Sequence, residues 1–133
     1  MNIEQKIFND VCKHLIKQGQ PSLSDENLCM YRGNGGTKCA VGFLIKDEYY
    51  RSTMEGKSAD NPKVMLAVYK SLNIPTTVRR LSRLLSDLQS AHDSNARTAF
   101  NEVDRNYWND QLKVRLRKIA YAHKLKIPRC IEE

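Results

Sequence analysis

A chain of 133 residues, 41% of them hydrophobic, is sized for one domain with a modest core of its own. Its formal charge of +7 favours acidic partners, and its four scattered cysteines, Cys12, Cys29, Cys39 and Cys130, contain no Cys-x-x-Cys pair. That spacing speaks against a disulfide framework and against a structural zinc motif, and no metal or cofactor is expected.

The first predicted element is a helix. Ile3, Ile7, Val11 and Leu15 step by four, Phe8, Cys12 and Ile16 widen the stripe, and Gly19 followed by Pro21 stops it. Glu4, Lys6, Asp10 and Lys13 interrupt this segment, so it reads as neither a signal peptide nor a membrane span; the expected location is the cytoplasm, with no membrane partner. Leu28 to Arg32 reads as short and extended.

The run from Tyr31 to Gly42 concentrates four glycines, two cations and a thiol before an apolar segment. Two conformations compete for it. A two-residue turn at Asn34-Gly35 pairs Tyr31 with Lys38 and Met30 with Cys39; alternatively a helix capped by Thr37 starts near Lys38, puts Cys39 in its first turn and turns Val41, Leu44 and Ile45 inward. In the helical form, loop amides with Arg32 and Lys38 make a concavity for an anion, so Tyr31, Arg32, Gly33, Gly35, Gly36, Thr37 and Lys38 are the candidate ligand-binding residues. The spacing matches neither a P-loop nor a dinucleotide fold. Asp47 to Met54 holds a brief helix at most.

Asn61-Pro62 opens a helix through Val64, Met65, Val68, Tyr69 and Leu72 that ends before Ile74-Pro75. Thr76 or Thr77 caps the next, whose stripe of Val78, Leu81, Leu85 and Leu88 leads to His92. After Asp93-Ser94-Asn95, Phe100, Val103 and Tyr107 form one stripe. Trp108, Leu112, Leu116, Ile119 and His123 form another, on two helices or one bent helix. The fold expected for residues 1–133 is therefore mainly α, a compact single domain of about five helices with a glycine-rich loop and at most a small β-hairpin.

Three chemistries follow. A thiol in the first turn of a helix has its anion stabilised by the helix dipole, so Cys39 with His92 and Asp93 forms the candidate catalytic set of a Cys/His hydrolase or transferase, with Asp25, Asp47, Glu55 and Asn95 as further polar partners. His14, Trp108 and His123 read as packing residues. The last 22 residues carry seven bases against two acids, which makes Lys113, Arg117 and Lys124 candidate contacts for nucleic acid.

Tyr31-Arg32, the glycine run Gly33 to Gly36, Lys38-Cys39-Ala40-Val41-Gly42-Phe43-Leu44-Ile45 and the later Leu88-Gln89-Ser90-Ala91-His92-Asp93 resemble segments of small bacteriophage and bacterial proteins of undefined activity. The resemblance covers about the middle half of the chain. It implies a phage-like origin and a pairing of the cysteine segment with the His-Asp segment; since small phage proteins often act on host machinery or defence, the expected role is an accessory protein that binds and neutralises a host factor in the host cytoplasm. The partner would be a host protein or a phosphorylated small molecule, recognised through the glycine-rich loop.

Overall fold

The computed structural model describes residues 2–78, 80–96 and 102–132, with the backbone alone for 102–104. Five α-helices follow in order: α1 (Ile3–Gln18), α2 (Ala40–Leu44), α3 (Pro62–Leu72), α4 (Leu81–Asp93) and α5 (Glu102–Ala122). The expected mainly helical architecture is what the chain adopts, and the described residues hold no sheet, only two isolated antiparallel bridges.

Helix α1 begins where Asn2 accepts the Gln5 N–H and ends at Gly19, whose φ of 67° lets its own N–H reach the Leu15 carbonyl. Helix α3 has the expected Asn61 cap, which accepts the Lys63 N–H at 2.9 Å, with Pro62 at the first helical position. Helix α4 differs from expectation: it starts at Leu81, and neither Thr76 nor Thr77 caps it. Val78 is held instead in a turn on Pro75, with its carbonyl taken by the Tyr69 hydroxyl.

Ile7, Phe8, Val11 and Leu15 of α1 meet Leu81, Leu84, Leu85 and Leu88 of α4 and Trp108, Leu112 and Leu116 of α5 in one buried core. The short helix α2 packs against α1, α3 and α4 and lies at its centre. Of the two stripes expected after residue 95, the second is buried on α5 through Trp108, Leu112, Leu116 and Ile119; Tyr107 of the first lies on the same helix and is 53% exposed, and Phe100 and the Val103 side chain lie outside the described residues. Asp47–Tyr49 and Ser52–Met54 form two 3-10 turns rather than one brief helix. Behind α5 the chain returns to α1, where Gln5 receives the Lys126 N–H at 2.8 Å and donates to the Lys126 carbonyl at 3.0 Å.

Candidate functional site

The Tyr31–Gly42 run combines parts of both expected conformations. Arg32 pairs with Lys38 across a closed loop in which Gly33 N–H reaches the Thr37 carbonyl, one register away from the expected Tyr31–Lys38 pair. Thr37 caps no helix: its hydroxyl donates to the Asn34 carbonyl and shuts the turn. The cap of α2 is Cys39, whose sulfur accepts the Gly42 N–H at 3.3 Å. Gly35 and Gly36 stand at the exposed tip with φ of 68° and 75°, open space around them.

The start of α2 is not available to an anion. Gly42 N–H is taken by Cys39, and Val41 N–H donates to Gln89 Oε1 at 3.1 Å. Burial pushes the Cys39 thiol up to about 12, with the Gly42 and Gln89 hydrogen bonds opposing only part of that. Cys39 is thus a fully buried thiol held in the neutral form, which does not favour its candidate role as an activated nucleophile.

Arg32 is likewise built into the fold. Its Nη2 donates to the Ile45 carbonyl at 3.1 Å and meets Asp47 Oδ1 at 2.8 Å, while the guanidinium lies 4.3 Å from the Tyr50 ring centroid. Glu55 gathers the adjacent backbone, accepting the N–H groups of Tyr31 and Arg32 and the Tyr50 hydroxyl. Lys38 contributes its backbone to α1: its N–H donates to Gln18 Oε1, and its carbonyl receives Gln18 Nε2 and His14 Nε2. Of the other polar candidates, Asp25 accepts from the Asn34 amide, and Asn95 sits just beyond α4 at φ 61°.

The residues that do converge are at the last turn of α4. Spacing of three and four places Gln89, His92 and Asp93 on neighbouring parts of one helix face. His92 is completely buried, and its carbonyl receives the Trp108 indole N–H at 2.9 Å. Its Nε2 accepts the backbone N–H of Ser22 at 2.9 Å, so the neutral ring carries its proton on Nδ1 and donates it to Asp93 Oδ1 at 2.8 Å. Gln89 Nε2 donates to the same Oδ1 at 2.9 Å. Both bonds land on one oxygen; Asp93 Oδ2 accepts neither.

Segment 22–30 folds back on itself through the Leu23–Cys29 bridge and the bond from Met30 N–H to the Ser22 carbonyl. This return carries Cys29 to the His-Asp pair, where ligating atoms of Cys29, His92 and Asp93 lie within 4.8 Å of one another. A cation would need a free lone pair on His92, and the only one a neutral imidazole has is directed at Ser22. The cluster therefore fits a metal poorly unless the Ser22 backbone withdraws. The thiol beside the His-Asp pair is Cys29, not the Cys39 of the candidate catalytic set; Cys39 is linked to the pair through Gln89.

Above this cluster opens a cleft of about 500 Å³. Asp93, Gln89, Ser86 and Ser90 form its α4 wall, Cys29 to Tyr31 a second, and Gly56 to Asp60 the third. Tyr31 fixes the third wall by donating its hydroxyl to the Lys57 carbonyl at 2.5 Å, and burial raises that phenol's pKa. Tyr31 is the one candidate ligand-binding residue that lines this cleft; Gly35, Gly36 and Thr37 border a separate recess with His14, Lys17, Gln18 and Gln20.

The three packing candidates are placed as such residues are. His14 stacks on Phe43 at 4.3 Å, and burial lowers its pKa; Trp108 is fully buried; His123 Nε2 bonds Asp87 at 2.7 Å. No helix among the described residues is long and apolar enough to cross a membrane. No family model, curated protein or solved structure matches the chain.

Proposed function

We propose that this protein is a binding module of the phage accessory type, which neutralises a host protein by taking one of its hydrogen-bond-donating groups into the cleft at Asp93. The observation that carries the reading is the Ser22 N–H on His92 Nε2. It fixes the tautomer, points the Nδ1 proton at Asp93 Oδ1 and leaves Oδ2 of a partly exposed carboxylate to accept from a partner. An amine, a guanidinium or an amide is the matching group. The segments that carry the phage resemblance meet at this place, since Tyr31, Gln89 and Asp93 all line the cleft.

The alternative reading, a Cys/His hydrolase or transferase, needs an imidazole lone pair facing a thiol, and that lone pair is occupied by Ser22. Recognition of a phosphate by the amides at the start of α2 meets a similar obstacle, because Cys39 and Gln89 already hold two of them.

Asp93→Asn separates binding from folding. The Asn carbonyl still accepts from His92 and Gln89, while its NH₂ replaces the second oxygen and repels a donor. Immobilised wild-type protein passed through a bacterial lysate should retain a partner that the Asn variant, with an unchanged melting curve, releases. Equal retention by both overturns the assignment to this cleft.

A further inference from the structure

The carboxy-terminal cations divide by what they bond. Arg117 Nη1 donates to the Ile131 carbonyl at 2.9 Å and is spent on fixing the final turn, and Lys124 is exposed at φ 56° just beyond the end of α5. Arg115 and Lys118 differ. They line a recess of about 200 Å³ between α4 and α5, together with Asp87, Ser90 and Ser94. Arg115 Nε is buried without a hydrogen-bond partner, and neither cation forms an ion pair with a described residue.

With no described carboxylate paired to either cation, an anion entering the recess supplies the missing counter-charge. The recess has room for a phosphate group, whose oxygens match the planar fork of Arg and the point charge of Lys. Asp87 is the lining carboxylate, and its Oδ2 is already held by His123 Nε2 at 2.7 Å. One turn beyond Lys118, the Tyr121 ring is 89% exposed. An aromatic face beside a phosphate site is the arrangement that stacks a nucleobase.

We propose that Arg115 and Lys118 form a phosphate site in the α4–α5 groove, with Tyr121 as the stacking face, so that its ligand is a nucleotide, free or within a single strand. The site touches the cleft only at Ser90 and stands whether or not the cleft binds a partner.

The test titrates the full chain with AMP and with a short labelled oligothymidylate, using inorganic phosphate as competitor. Wild type should bind at least one of the two, with phosphate competing. Arg115→Gln and Lys118→Gln should each weaken binding about tenfold or more, the loss of one charge-assisted contact. Tyr121→Ala should weaken the nucleotide probes while leaving phosphate competition in place. Tighter binding of AMP identifies a free nucleotide as the source; tighter binding of the oligomer, with steep salt dependence, identifies a strand. Lys118 and Tyr121 are exposed, so their variants fold even if Arg115→Gln does not. The proposal is overturned if wild type binds neither probe, or if Lys118→Gln binds as wild type does.

Discussion

Gly42 of α2 lies directly on the backbone of Tyr31, so close that a β-carbon on Gly42 would stand 2.0 Å from the Tyr31 carbonyl oxygen. Helix α2 can occupy the centre of the core only because this position has no side chain. Gly42→Ala should therefore be among the most damaging small substitutions, at about 3 kcal/mol or more by the upper range for overpacking. Gly35→Ala meets no neighbour and should cost only the strain of its positive φ, about 1 kcal/mol. Urea denaturation of both variants checks the ordering.

The loop cations should separate on mutation. Arg32→Ala removes a bond to the Ile45 carbonyl, an ion pair and the contact with the Tyr50 ring, for an expected loss of about 1–3 kcal/mol. Lys38 serves through its backbone, so Lys38→Ala should stay within about 0.5 kcal/mol. Thermal melts of the single variants suffice.

His92→Phe keeps a ring of similar size but leaves the Ser22 N–H without its buried acceptor. A destabilisation of about 1–3 kcal/mol is expected. Trp108, whose indole packs edge-on to His92 at 5.7 Å, provides the fluorescence signal for the unfolding curve.

Cys39 gives a pH dependence of known sign. Its thiol is raised in the folded protein to about 12 from an ordinary 9.0, so above pH 9 the unfolded chain has lost a proton that the folded chain retains. Stability from this thiol is present in full below pH 9 and declines towards pH 12, by up to about 1.4 kcal/mol per unit. Cys39→Ser, measured by urea denaturation from pH 8 to about 11, should flatten the decline. At pH 8 iodoacetamide should leave native Cys39 unmodified and label it once the chain is unfolded.

The parts of the fold legible in the sequence are those governed by local rules. The Asn61-Pro62 cap, the Gly19 stop and the Trp108–Leu112–Leu116 stripe depend on neighbours within a turn or two, and they appear where the spacing puts them. The start of α4 was misread because a tertiary contact, the Tyr69 hydroxyl on the Val78 carbonyl, outweighs the capping preference of Thr76 and Thr77. The site was legible in part. Gln89, His92 and Asp93 share a face by spacing alone, but nothing local announces that Ser22, seventy residues away, occupies the His92 lone pair, or that Cys29 is the thiol carried to it.

The clasp between Gln5 and Lys126 ties the first turn of the first helix to the segment that follows the last one. Both bonds of that clasp come from the one Gln5 side-chain amide, so its release frees the Lys126 N–H and carbonyl together. The amide proton of Lys126, in an exposed stretch of chain, should consequently exchange with solvent at the rate at which the Gln5 amide lets go, and faster in Gln5→Ala. A surface position thus reports on whether the two ends of the helical chain hold together.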